Sequence, residues 1–247
     1  MPNSITTALL GTCFTFFMTI AGSSVVFFFS KEIPDKLQKV FLGFAGGVMI
    51  AASVWSLLIP SVEQAQTLGL PGWLPASVGF LAGALFLLLL ERAIPHFAGD
   101  FMKRFPSAAS FQKAVLLCLA ITLHNIPEGM AVGLAWPLAL GIGIQNFPEG
   151  AAVSLPLRKS GFSRTKAFLL GSATGIVEPL FGCLAILVAH QARMFMPWLL
   201  AFAAGAMIYV VVEELIPEAH LGENSTIGTL SVIIGFLLMM ILDVSLS

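Results

Sequence analysis

The sequence predicts an all-α membrane protein: a single polytopic domain over residues 1–247, with eight transmembrane helices and both termini outside. Three observations lead there. The chain is 57% hydrophobic and 10% charged, with a mean hydropathy of +0.95, whereas soluble domains carry about 25% charged residues. Apolar runs near the roughly twenty residues needed to cross a bilayer recur along the whole chain and leave no room for a soluble domain. The basic residues cluster on alternate connections between those runs, the pattern that sets orientation.

The runs fall at about residues 5–29, 40–60, 74–91, 112–135, 137–157, 166–188, 196–216 and 227–246. The first has no basic segment before it and no convincing small-residue cleavage pattern after it, so it reads as a retained helix and not a cleaved signal. Lys31, Lys36 and Lys39 follow helix 1; Arg92, Lys103, Arg104 and Lys113 surround the link from helix 3 to helix 4; Arg158, Lys159, Arg164 and Lys166 follow helix 5. Of the 12 basic residues, only Arg193, between helices 6 and 7, falls on the other side. Basic connections stay cytoplasmic, which places the N-terminus outside, and an even number of spans returns the C-terminus there. The 3–4 link is the longest basic loop and holds only His96, so it is no histidine-rich metal-sensing tract. Trp136-Pro137 alone separates helices 4 and 5, a tight turn, since proline disfavours helix in the residue before it. Phe27, Phe28, Phe29 and Trp73 suit the interfacial aromatic belt.

Several function classes drop out early. A net charge of −1 with scattered basic residues argues against a nucleic-acid partner; the lipid bilayer is the expected surroundings. Cys13, Cys118 and Cys183 stand singly in apolar runs and read as small hydrophobes, neither a disulfide framework nor a thiolate zinc site. No G-x-x-x-x-G-K-[ST] phrase is present to bind a nucleotide, and no H-E-x-x-H to support a zinc hydrolase.

Within this apolar background one phrase occurs twice: His124-Asn125-Ile126-Pro127-Glu128-Gly129 and Gln145-Asn146-Phe147-Pro148-Glu149-Gly150. In each, an imidazole or amide stands four residues before a glutamate, which puts both on one helix face about a turn apart. The proline withholds a backbone N–H from the carbonyl four residues back, Leu123 or Ile144, and tends to kink the helix. The glycine admits a neighbouring helix. Glu178, in Gly175-Ile176-Val177-Glu178-Pro179, lies equally deep on helix 6. A charged side chain at mid-bilayer costs several kcal/mol, so such groups face one another or a wet cavity and need protons or cations as compensation. A lone buried glutamate is explained as well by protonation and packing. Three of them with a repeated phrase point to a site for a divalent cation, and His and carboxylate donors suit Zn2+, Fe2+, Mn2+ and Cd2+. The acidic stretch Glu213-Glu214-Leu215-Ile216-Pro217-Glu218-Ala219-His220 closes helix 7 at the cytoplasmic face. Met49 and Ser56 are weaker signals, since a methionine in an apolar helix is ordinarily core. Glu63 and Asp243 lie near the outer face, where solvation is expected; Glu63 can also attract entering cations.

On these residues, together with Gly43-Phe44-Ala45-Gly46-Gly47-Val48-Met49 on helix 2, the chain resembles the ZIP (ZRT/IRT-like protein) family of divalent metal transporters, especially its short prokaryotic, GufA-like branch. The resemblance covers all eight runs. It implies a metal site between helices 4, 5 and 6 that can be binuclear. By that resemblance His124, Glu128, Gln145 and Glu149 match one metal position, with Met49 as an additional candidate ligand. Asn125, Asn146 and Glu178 match a second, bridged by Glu128 and Glu149. Glu213 and Glu214 match an inner-face exit site. It further implies alternating access, with helices 1, 4, 5 and 6 sliding against a frame of 2, 3, 7 and 8 that can also form a homodimer, in a prokaryotic inner (plasma) membrane. Two departures stand out: some relatives carry Asp where this chain has Asn146, and the helix 4 to helix 5 connection is short.

The expected function is import of a divalent transition metal, foremost Zn2+, into the cytoplasm, the ion being cargo and no cofactor serving as catalyst. Flow down the metal gradient, with proton exchange at the glutamates, is the simplest energetics. A proton or cation channel using the same carboxylates is the alternative, and an intramembrane zinc hydrolase a more distant one.

Overall fold

The computed structural model describes residues 5–29, 34–102, 108–134, 138–187, 189–220 and 225–246. Within the helices some side chains, those of His124 and Pro127 among them, lie outside the description, as does the Trp136-Pro137 link. Every described element is helical: α1 (Ile5–Phe28), α2 (Asp35–Thr67), α3 (Trp73–Met102), α4 (Ala108–Leu134), α5 (Leu138–Lys159), α6 (Arg164–Leu187), α7 (Ala189–Val210, continued to His220) and α8 (Ser225–Leu246). By length and composition α1, α2, α3, α6, α7 and α8 each hold a stretch able to cross a membrane. The chain is thus a multi-pass membrane protein. The helices carrying the repeated phrase, α4 and α5, are not among those six.

The helix ends follow local chemistry. Gly69, at φ +74°, ends α2 in a left-handed turn, where Leu70 N–H returns to Ala65 O at 2.9 Å. Gly161, at φ +97°, does the same after α5, with Phe162 N–H donating to Leu157 O at 3.2 Å. The Ser163 hydroxyl then caps α6 by accepting from Lys166 N–H at 3.2 Å. Helix α3 runs on to Met102, so most of the expected long basic loop before helix 4 is a helical extension beyond the apolar stretch.

Glycines join the helices in parallel pairs. Along α2 and α8, a Cβ added at Gly43 would lie 2.7 Å from Gly228 O, and one at Gly47 1.9 Å from Val232 O. Along α3 and α7 the corresponding approaches are Gly79 to Trp198 O at 2.7 Å and Gly83 to Phe202 O at 2.0 Å. Gly129 and Gly133 of α4 meet Glu178 and Gly182 of α6, and Gly11 and Gly150 bring α1 and α5 together at Ala139 and Thr19. In all four pairs the residue numbers rise together, as they must where helices of the same direction lie side by side. Such contacts are the familiar means of packing helices in lipid, where apolar side chains gain nothing by leaving the bilayer. The closest packing thus sorts the helices into α1, α4, α5, α6 and α2, α3, α7, α8, the two sets expected from the family resemblance, joined mainly through α4 against α7 and α2 against α5.

Helices α2 and α7 carry similar stretches: Phe44-Ala45-Gly46-Gly47-Val48-Met49-Ile50 and Phe202-Ala203-Ala204-Gly205-Ala206-Met207-Ile208 differ only by Ala204 for Gly46 and Ala206 for Val48. Both then loosen into a π-helical turn, Ser53–Leu58 and Val211–Leu215, ahead of Ile59-Pro60 and Ile216-Pro217. A proline cannot donate to the carbonyl four residues back, and one wider turn accommodates this without ending the helix. Met49 and Met207 are fully buried in the apolar core, whereas α3 and α8 expose Leu81, Leu85, Leu89, Ile233, Leu237 and Ile241. Lys159 Nζ and Asp35 Oδ1, 3.3 Å apart, show that the end of α5 and the start of α2 lie at the same end of the bundle.

Candidate metal centre

The two copies of the repeated phrase lie on α4 and α5, beside Glu178 of α6 and the middle of α1. Both motif prolines of the sequence reading fall inside continuous helix. In α6 the turn Thr174–Ile176 tightens to a 3-10 helix just before Glu178-Pro179, since Pro179 offers no N–H to Gly175 O. Both motif glycines act in helix contact. A Cβ at Gly129 would lie 2.5 Å from Glu178 Cα, and one at Gly150 2.2 Å from Thr19 O. The glutamates are therefore held beside close helix approaches.

Asn125, Glu128, Gln145, Asn146, Glu149 and Glu178 are all at most 1% exposed. Gln145 Nε2 donates to Glu128 Oε1, linking the two copies. Asn125 Nδ2 donates to Thr174 O at 3.1 Å. Asn146 Nδ2 donates to Glu178 Oε1 and Oε2 at 2.9 and 3.0 Å and to Thr15 O at 3.3 Å. Thr19 Oγ1 donates to Glu178 Oε1 at 3.5 Å. Glu149 lies near enough for its charge to act on Glu178. His124 occupies α4 one turn before Glu128; its side chain lies outside the described residues.

The donors are unevenly spread. Around Glu178 they are plentiful. On α4 and α5, Asn125 Oδ1, Gln145 Oε1 and Asn146 Oδ1 are buried with no hydrogen-bond partner among the described residues. A buried polar atom without a partner costs about 1–3 kcal/mol, and a cation bound by these amide oxygens would relieve that cost. Among the described residues no three His, Cys, Asp or Glu side chains form a ligand cluster by themselves, so the donor set is a mixture of amides and carboxylates.

Known proteins are similar to this chain over most of its length. A family model described as "ZIP Zinc transporter" matches residues 102–243. The chain is 36% identical to "Zinc transporter ZIP11" of Homo sapiens, over 99% of this chain and 98% of that protein. The chain belongs to the ZIP zinc transporter family. Similar relatives include "Zinc transporter GufA" of Myxococcus xanthus, 37% identical over 88% of this chain and 90% of that protein, and "Zinc transporter ZIPB" of Bordetella bronchiseptica, 37% identical over 87% and 74%. ZIP membership makes this a transporter-family protein and not an enzyme, which removes the hydrolase alternative.

The other candidate residues of this ZIP chain lie elsewhere. Met49 is fully buried on α2, the helix that abuts α5. Glu213 and Glu214 sit in the π turn of α7, Glu213 exposed and Glu214 half-buried. Glu214 lines a cleft with Leu87, Leu90, Glu91, Leu117, Tyr209 and Val210. There Tyr209 OH donates to Glu91 Oε2 at 2.5 Å. Asp243, expected to be solvated, is half-buried and accepts from Ser56 Oγ at 2.8 Å.

Sequence reasoning missed the contribution of α1. Thr12, Thr15, Thr19 and Ser23 are all at most 1% exposed, and their spacing of three and four residues is a helical stripe readable in the sequence. It also passed over Glu91, an acid at the end of an apolar run.

Proposed function

We propose that the chain carries divalent transition-metal ions, foremost Zn2+, into the cytoplasm through the buried centre on α4, α5 and α6. The observation that carries this reading is the fully buried set of carboxylates and amides on α4 and α5, with the amide oxygens of Asn125, Gln145 and Asn146 lacking donors among the described residues. Carboxylate and amide oxygens, joined by the His124 imidazole, are a donor set for a borderline cation such as Zn2+, and also for Fe2+, Mn2+ or Cd2+. The printed names of the relatives, all zinc transporters, support zinc as the principal cargo.

In this reading α4 and α5 also cross the membrane, giving eight spans with both termini outside. The ion enters from the Ser56–Asp243 end and leaves past Glu91, Glu213 and Glu214 at the basic, cytoplasmic end. The α1, α4, α5, α6 set moves against the α2, α3, α7, α8 frame, which also forms the homodimer face, in the inner membrane of a prokaryote. Since the set contacts the frame mainly through two helix pairs, a rigid shift of one against the other disturbs few close contacts.

The test is uptake into liposomes loaded with a zinc-sensitive dye. Native protein is expected to give saturable Zn2+ entry, and Glu128→Ala with Glu149→Ala to reduce it to the leak of protein-free vesicles. Unchanged uptake by the double variant would refute the assignment. Current far above carrier turnover would favour the channel reading.

A further inference from the structure

We infer that the side-chain amide of Asn146 stands where a second cation would otherwise sit, so that the buried centre of this chain holds a single metal, on the Glu128 and Glu149 side, and Glu178 serves as an anchor for α1 and α5. This rests on the transport-site reading above and specifies its stoichiometry. It departs from the ligand role that family resemblance gives Glu178.

Glu178 is fully buried, and its two oxygens already face donors. Asn146 Nδ2 spans both, at 2.9 and 3.0 Å, and Thr19 Oγ1 approaches Oε1 at 3.5 Å. Thr15 donates its hydroxyl to Thr12 O at 3.0 Å, and its carbonyl takes the second bond of the Asn146 amide. A metal bound by these oxygens at the usual distance of about 2.0–2.2 Å would meet the positive end of the Asn146 amide.

Turning that amide over to admit a cation carries a cost. Asn146 Nδ2 also donates to Thr15 O at 3.3 Å. A flip would give up that bond and set Asn146 Oδ1 against the Thr15 carbonyl, so a second cation would have to offset this loss as well as its own desolvation. Two main-chain carbonyls, Thr15 O and Thr174 O, therefore hold the amide nitrogens of Asn146 and Asn125 on the α1 and α6 sides. They leave Oδ1 of each amide unpartnered on its opposite side. Space is short as well, because the α4 backbone at Gly129 is packed directly on the Glu178 backbone.

Charge makes the same distinction. An aspartate at 146 would offer acceptors where the amide now offers N–H, and would set two like charges against each other that only a cation could reconcile. The neutral amide satisfies Glu178 without one. Asn146 is thus a stoichiometry-determining residue, and Glu178, with Thr15 and Thr19, a positioning group that ties three helices together.

Cd2+-soaked crystals of the full chain, read by anomalous scattering, test this directly. The native protein is expected to show one peak at the buried centre, adjoining Glu128 and Glu149, and Asn146→Asp to add a second against Glu178. Two peaks in the native protein, or one in Asn146→Asp, would overturn the inference. Absence of any peak near Glu128 and Glu149 would instead remove the transport-site reading on which it depends. A second measurement avoids the crystal: Cd2+ titration is expected to give Glu178→Gln a Kd within about threefold of native, and Glu128→Gln a loss of about tenfold or more. A tenfold loss in Glu178→Gln would also overturn the single-metal assignment, and no loss in Glu128→Gln would again count against the transport site.

Discussion

In the α2/α8 and α3/α7 pairs the closest backbone approaches run past the carbonyls of Val232, Phe80 and Phe202, in apolar surroundings. In α4/α6 the same kind of approach runs past Glu178, and in α1/α5 past Thr19, whose hydroxyl faces that glutamate. The packing device is shared and the contents differ. The frame is joined mainly by glycine and apolar surface, with partly buried polar pairs such as Tyr209–Glu91 and Ser56–Asp243, whereas the other set buries its acids and amides completely. Their retention at full burial is a cost that function explains.

The sharpest way to break this comparison is to crowd one glycine in each set. Gly150→Ala places a Cβ 2.2 Å from Thr19 O, and Gly205→Ala places one 1.9 Å from Phe80 O. Overpacking of this kind costs about 1–3 kcal/mol, so both variants are expected to melt at lower temperature. Only Gly150→Ala is expected to weaken Cd2+ binding by the folded protein, by about tenfold. Equal loss of affinity in the two would remove the distinction between the sets.

A smaller effect is expected from Thr19→Val, which keeps the shape and deletes the hydroxyl facing Glu178. Loss of one hydrogen bond to a charged group is worth about 1.5–3 kcal/mol at most, and at 3.5 Å this one falls toward the lower end. Thermal melting should register it while metal stoichiometry stays unchanged. Tyr209→Phe deletes the bond to Glu91 on the frame side. About 1 kcal/mol of stability is expected to go with it, and the Kd of the buried centre should not move. Asp35→Ala closes the series. The Lys159–Asp35 pair is more than half exposed on both sides, and such pairs contribute roughly 0–1 kcal/mol, so melting within a degree or two of native is the expected result.

Much of the fold was legible because lipid imposes long apolar runs that composition reveals directly. Each expected run coincides with a described helix, although α2 extends beyond its run at both ends and α3 continues to Met102. Those extensions were hidden because helix does not stop where hydropathy falls; it stops at a cap or a glycine such as Gly69. The repeated phrase gave the α4 and α5 residues of the site through its four-residue spacing. The role of α1 was harder to see. Threonines occur in any apolar helix, and only the packing of α1 against α5 and α6 turns Thr15 and Thr19 toward Asn146 and Glu178.

Sequence by itself determined that the chain is a membrane helix bundle with acids buried in it, because hydropathy and helical period depend only on the order of residues. Tertiary structure alone decided which donor each acid meets: Glu178 faces the amide of Asn146 and Glu128 that of Gln145, while the oxygens of both amides stay unpartnered among the described residues. The physical reason is that a hydrogen bond depends on where each polar group points after distant helices have packed. Spacing along a chain can bring two groups to one helix face, but it cannot say which backbone carbonyl of another helix will fix the orientation of an amide.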